Sequence, residues 1–259
     1  GDHSGTYQYW KDDATVKKNL AMLEDPAQAW RLNYKHMDIE DADDFHPGIL
    51  VVEAGEKLVK AWEKRKPGFI KCLSSGTGKL EGLAANYPQY DKKLKRIMTL
   101  ESMVEHCAKT VLGQKFKQTK PPKENAKIAT YIKSLSTGKP ISIDVSSGPM
   151  KASYQRGENY FYKRVGQLNF ACASCHTPGS IMGFQLRGEV PTSPFGDMAH
   201  MPTYRSAAGE VEMVHKRFMR CLKLQRSKPL PLGHPAYVDL EVFFTALSNG
   251  ARIKVPSLR

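Results

Sequence analysis

Apolar residues recur along this chain at three- and four-residue steps, and strict alternation of apolar with polar positions is scarce. Leu50, Val51, Ala54, Leu58 and Trp62 mark one face of a helix. Residues 99–112 read the same way, with Thr99 as N-cap, Glu101 in the first turn and Gly113 as the stop. Further helices are predicted over 125–135 (ended by Gly138-Lys139-Pro140), 158–164, 210–225 and 237–247 (with Asn249-Gly250 behind it). A short amphipathic stretch around Leu20, Met22 and Leu23 ends near Pro26, and residues 141–145 form the one weak strand candidate. The pattern predicts a mainly α protein. Residues 137–153 are rich in Gly, Ser and Pro and read as a linker. That divides the chain into two helical domains, residues 1–140 and 150–259. The acidic run 38–44 reads as a solvated loop.

Composition adds bounds. A 259-residue chain with 41% hydrophobic residues can bury a real core. No apolar run approaches membrane-spanning length, so no span is expected. The opening Gly1-Asp2-His3-Ser4 lacks a basic-then-apolar leader, so if the protein is exported its signal peptide has been removed. The formal net charge is +13; residues 151–259 hold 15 Lys+Arg against 7 Asp+Glu, so +8 of it falls there. Such a surface suits nucleic acid, an anionic membrane, an acidic partner or a small anion. No helix-turn-helix, zinc-finger or RNA-binding signature is present, which puts nucleic acid last.

Cys172-Ala173-Ser174-Cys175-His176 carries the chemistry. Two cysteines three positions apart can form thioethers to the two former vinyl groups of one porphyrin, and the next histidine can ligate the iron. The competing reading, a redox Cys-x-x-Cys with a chance histidine, needs a βαβ context that this sequence lacks. Residues 157–164 then read as the N-terminal helix of a small cytochrome c domain, and 237–247 as the C-terminal helix that crosses it.

The iron's sixth ligand stays open on pattern alone. Met201-Pro202 looks like a distal methionine element, and His200, His215 and Cys221 compete with it. Cys221 lies among Lys216, Arg217, Arg220, Lys223, Arg226 and Lys228, with no acid between 216 and 228. Such a field lowers a thiol's pKa and favours the thiolate as nucleophile or metal ligand. Arg217 and Cys221, four apart, share a helix face. A solvated basic helix with an inert cysteine is the plain alternative.

With these motifs assembled, the chain resembles the SoxA family, cytochrome subunits of bacterial thiosulfate oxidation. The residues that carry the resemblance are 164–176 around the haem motif, Tyr204-Arg205, His215-Lys216-Arg217-Phe218-Met219-Arg220-Cys221 and the tail 229–247. Residues 80–90 and 100–107 in the first domain resemble the family too. The resemblance implies two cytochrome c-like domains and an enzyme, an L-cysteine S-thiosulfotransferase. Such an enzyme oxidatively couples thiosulfate to a cysteine of the carrier SoxY, beside a SoxX-type cytochrome subunit. It implies that Cys221 is both the reactive cysteine, often a persulfide, and the axial haem ligand, and that Arg217 binds thiosulfate. Many relatives repeat the haem motif in the first domain. Here that stretch is Cys72-Leu73-Ser74-Ser75-Gly76, without the second cysteine and the histidine. The resemblance is therefore to the single-haem branch: one covalently bound haem c, and a Cys72–Cys107 disulfide. In the chain-entropy picture, closing that span stabilises by about 4 kcal/mol. Covalent haem and a disulfide imply the periplasm. Two other functions compete: a passive electron-transfer cytochrome with Met201 on the iron, and a thiosulfate dehydrogenase that makes tetrathionate.

Overall fold

A computed structural model describes residues 47–114, 123–177, 191 and 194–258. The predicted stretch around Leu20 and the acidic run 38–44 lie outside them. Helix α1 (Pro47–Arg65) is followed by the short α2 (Phe69–Leu73), a 3-10 turn (Leu83–Asn86), the hairpin β1 (Gln89–Asp91) and β2 (Arg96–Met98), then α3 (Leu100–Leu112) and α4 (Lys123–Ser134). The order then recurs: α5 (Gly148–Tyr162), the single turn α6 (Ala173–His176), a 3-10 turn (Asp197–His200), β3 (Thr203–Arg205), β4 (Glu210–Glu212), α7 (Val214–Leu224) and α8 (Pro235–Ala246), with β5 (Ser257–Leu258) closing the chain.

The recurrence holds residue by residue. Gln89 pairs with Met98 and Asp91 with Arg96, as Thr203 pairs with Glu212 and Arg205 with Glu210. A cis proline precedes each hairpin, Pro88 and Pro202. Pro88/Pro202, Met98/Glu212 and Cys107/Cys221 are each 114 positions apart. The helix crossings match as well. A Cβ on Gly55 would sit 2.1 Å from the Lys127 carbonyl oxygen and 2.8 Å from Tyr131 Cβ. On Gly157 it would sit 2.1 Å from the Asp239 carbonyl oxygen and 2.8 Å from Phe243 Cβ. In both repeats glycine lets the first helix lie backbone-to-backbone on the last, so any larger residue would force the pair apart.

Each repeat has its own core. Trp62, Phe69, Met98, Val104, Ile128 and Ile132 fill the first. Phe161, Phe218, Tyr237, Leu240, Phe243 and Phe244 fill the second. Helix α3 forms as its ends predict: Thr99 and Ser102 cap each other's backbone N–H, and Gly113 stops the helix at φ 66°. Cys72 and Cys107 are joined by a disulfide with S–S 2.05 Å, tying α2 to α3.

Four expectations about local structure need correction. The apolar stripe of α1 is rotated: Gly48, Gly55, Val59 and Trp62 are buried, whereas Leu50 is 59% exposed, because the glycine side must face α4. Residues 141–145 form no strand. Ile141 N–H donates to Ala251 and Ser142 N–H to Ala85, while Ile143 N–H donates to the Asn249 side chain, so no ladder builds on one partner. Helix α5 starts at Gly148, inside the Gly/Ser/Pro-rich stretch, since Pro149 in a first helical turn costs no hydrogen bond. The predicted helix over 210–225 starts only at Val214, because Glu210–Glu212 is consumed by pairing with β3. Among the described residues, no helix is long and apolar enough to cross a membrane.

Candidate functional site: the Cys172–Cys221 face

The loop before α6 is closed by the Val165–Phe170 bridge and by Ala171 N–H donating to Ser174 Oγ at 3.1 Å. Cys175 N–H and His176 N–H both donate to the Cys172 carbonyl, at 3.1 and 3.0 Å. One helical turn thus sets Cys172 and Cys175 side by side with His176 next to them, the arrangement one porphyrin needs. Burial raises both thiols, and Cys172, with Cys221 as the next largest cause, is pushed up to about 12. Neither cysteine is in a disulfide, and Leu168 and Phe170 present exposed apolar surface just ahead of them. Donor set and surroundings fit a covalent haem c, with Cys172 and Cys175 as thioether donors and His176 as ligand.

Helix α7 brings Cys221 to the same place. Its inner stripe, Val214, His215, Phe218 and Leu222, is buried, and Phe218 packs between Tyr237 and Phe244 with ring centroids 5.7 and 5.5 Å apart. This fixes the helix's rotation and leaves Arg217 and Cys221 on its flank. The Tyr237 phenol is pushed up to about 12, chiefly by burial, with Tyr160, Cys221 and Cys172 adding to the rise. Cys172 packs on the same core as Tyr237 and the Phe218 and Leu222 face of α7, which brings the haem motif and the cysteine-bearing helix together. In the first repeat the pair matching Arg217 and Cys221 is Met103 and Cys107, and Met103 Sδ lies 3.8 Å from Cys107 Sγ.

The other candidate ligands are engaged elsewhere. His215 Nδ1 accepts from Gly233 N–H at 3.2 Å, so its Nε2 carries the proton and meets Glu241 Oε2 at 2.9 Å. His200 Nδ1 lies 3.0 Å from Ser257 Oγ, and burial, then Lys254 and Lys133, hold its pKa well below the usual value. Met201 is buried and lines a cavity of about 20 Å³ between the repeats with Leu100, Glu101, Lys133 and Glu241.

The basic helix is not free of acids in space. Glu212, 0% exposed, comes from β4. Arg217 Nη1 lies 3.5 Å from its Oε2, Arg205 Nε 4.0 Å from the same oxygen, and Lys216 Nζ 4.0 Å from Oε1. Arg220 Nη2 contacts Oε1 directly, and Lys216 also contacts Glu210. Sequence reasoning missed Glu212 and Arg205 as parts of this cluster. The one signal was the i,i+4 spacing of Glu212 and Lys216.

Comparison with known proteins agrees with this geometry. A family model described as "SoxA/TsdA, cytochrome c domain" matches residues 54–141. The chain is 33% identical over 241 residues to the L-cysteine S-thiosulfotransferase subunit SoxA of Chlorobaculum thiosulfatiphilum, covering 92% of this chain and 78% of that one. The chain belongs to the SoxA family. The SoxA of Pseudaminobacter salicylatoxidans is 30% identical, over 85% of this chain and 76% of the relative. The crystal structure of SoxXA from P. pantotrophus matches with a TM-score of 0.73 at 24% identity, covering 89% of this chain and 85% of that one, which fixes the fold. The SoxA relationship thus spans both repeats and makes the chain a mainly α cytochrome c-type protein.

Proposed function

We propose that this chain is the SoxA subunit of a periplasmic L-cysteine S-thiosulfotransferase, divided into a first domain (residues 1–140) without haem and a haem domain (residues 150–259). Its single haem c is attached through Cys172 and Cys175 and ligated by His176 and Cys221. Cys221 is the sulfur that takes part in turnover, Arg217 binds thiosulfate, a SoxX-type cytochrome is its partner and SoxY supplies the acceptor cysteine. The observation that carries the reading is that Cys172 of the haem motif packs against the core containing Phe218 and Leu222 of α7, the helix that carries Arg217 and Cys221.

The overall reaction balances as a carrier thiol plus the thiosulfate dianion giving a cysteine S-thiosulfonate, one proton and two electrons; one S–S bond forms and one S–H bond breaks. A haem bound at Cys172, Cys175 and His176 would accept one electron at a time, and the SoxX-type cytochrome partner would take up the pair. The protein's own residues do the rest. Within the field of cations around Glu212, Arg217 holds the dianion by a charge-assisted contact worth roughly 1.5–3 kcal/mol. The same field favours a sulfur anion at Cys221. Long-range attraction by Arg220, Lys223, Arg226 and Lys228 gathers anions and weakens with salt.

The test is the holoprotein with its cytochrome partner, thiosulfate and the carrier, followed by intact mass spectrometry and EPR. One covalent haem, a low-spin His/thiolate ferric signal and a thiosulfonate on the carrier cysteine are expected. A His/Met signal would return Cys221 to an inert role, and tetrathionate formed at full rate without the carrier would make the protein a thiosulfate dehydrogenase.

A further inference from the structure

A fully buried carboxylate is costly unless paired, and a fold does not acquire one for packing. The internal repeat shows what this fold needs at the position of Glu212. At the matching place in the first hairpin stands the uncharged Met98, also 0% exposed. The counterparts of Arg205, Lys216, Arg217 and Arg220 are Asp91, Ser102, Met103 and His106, so the first repeat builds the same hairpin and helix without the cluster. The carboxylate and its cations therefore belong to the chemistry of the second repeat.

The geometry says what the carboxylate does. Arg217 and Arg220 lie one turn apart on α7, four positions and one position before Cys221, and long cationic side chains so close repel each other. Glu212, coming from β4 beneath them, is within 3.5 Å of Arg217 through Oε2 and in contact with Arg220 through Oε1. The carboxylate thus lies between the two guanidinium groups, Arg217 on the side of one oxygen and Arg220 on the side of the other, with Arg205 also 4.0 Å from Oε2.

We propose that Glu212 is a positioning residue, a buried carboxylate that holds Arg217 and Arg220 together beside Cys221 so that the pair receives a sulfur-oxyanion dianion of the thiosulfate class. Arg220 thereby becomes a second substrate contact rather than a steering charge. The inference rests on the reading of Arg217 as the thiosulfate residue.

The test compares Glu212→Gln with the wild type as holoprotein with its cytochrome partner. Thiosulfate Kd is measured by calorimetry, kcat and KM with the carrier, and Tm and the haem spectrum serve as controls. Positioning predicts Kd and KM raised about tenfold or more, with kcat within about threefold and the haem spectrum unchanged. The sign of the effect discriminates. If Glu212 only offsets excess charge, its neutralisation tightens dianion binding, and a lowered Kd overturns the proposal. A lowered Tm with unchanged Kd and KM overturns it too, since the residue is then merely structural. Glu212→Met, the first repeat's own residue, is the second variant should the glutamine protein fail to fold, with the same expected rise. Glu212→Asp, which keeps the charge, should recover part of the affinity. If the wild type binds no thiosulfate, the functional reading falls. If it binds and turns over while the variants match it, only the present proposal falls.

Discussion

The two repeats of this molecule share a scaffold and differ in what they place on it. In each, a glycine-bearing helix crosses a last helix, a cis proline leads into a three-residue hairpin, and a following helix carries a cysteine, Cys107 or Cys221. In the first repeat that cysteine is bonded to Cys72, Met98 fills the space under the helix, and the structure closes on itself. In the second, Cys221 stands near Cys172 with no disulfide between them, and Glu212 with its arginines replaces Met98. The difference separates what the fold needs from what was added: the hairpin and helix form with Met98 in place of the buried carboxylate, which is the contrast behind the proposal for Glu212.

The largest effect should come from making the second repeat as inert as the first. Cys221→Ala is expected to retain covalent haem at Cys172 and Cys175 by intact mass while lowering turnover by about a thousandfold or more. Turnover within tenfold of wild type would show that Cys221 is not the sulfur that reacts. The reverse graft, Met98→Glu, buries a carboxylate in a repeat where the positions matching Arg205, Lys216, Arg217 and Arg220 hold Asp91, Ser102, Met103 and His106. It should destabilise by about 3–5 kcal/mol in urea titrations. Part of the loss should return at pH 4, where the new carboxyl is protonated. A neutral outcome would mean that the first hairpin tolerates charge and that the contrast with Glu212 carries less meaning.

How much of this was legible in the sequence depends on how local the signal was. Helix α3 announced itself because Thr99 and Gly113 act on their immediate neighbours. The haem motif was legible for the same reason, five consecutive residues in one turn. The hairpins were not: three residues per strand give too little alternation to register, and their pairing is what shortens the predicted helix 210–225 to α7. Glu212 reads as an ordinary surface acid in the sequence; its meaning comes from β4 passing under α7. The family resemblance implied two like domains, but their residue-by-residue register was hidden for a related reason, since the matching positions hold side chains of opposite character, such as Met103 and Arg217. The Cys72–Cys107 bond, implied only by family resemblance, is present. Its removal by Cys72→Ser with Cys107→Ser should cost about 2–4 kcal/mol of stability while leaving thiosulfate kcat/KM unchanged. A loss of activity at full stability would tie the first repeat to catalysis directly.

The smallest expected effect tests the seam between the repeats. Glu101 on α3 and Lys133 on α4 meet Glu241 on α8 and His215 on α7 around the small cavity that Met201 also lines. The Glu101 carboxyl is pushed up to about 7, first by burial and then by Glu241, against the opposing pull of its backbone N–H, His215 and Lys133. Burial lowers Lys133, whose ammonium donates to the Met198 carbonyl at 2.8 Å. A raised carboxyl pKa means that the folded protein holds this proton more tightly than the unfolded chain does. The stabilisation is complete below about pH 4.5 and is lost as pH rises through about 7. Glu101→Gln keeps the shape and removes the titration. Urea unfolding of both proteins at pH 5 and pH 7.5 isolates the group, because the histidines common to both cancel in the difference. The wild type should lose more stability than the variant between the two pH values. Equal losses would mean that Glu101 stays ionised throughout, held by Lys133 as an ordinary buried ion pair, and that the seam joining the two repeats is insensitive to pH in this range.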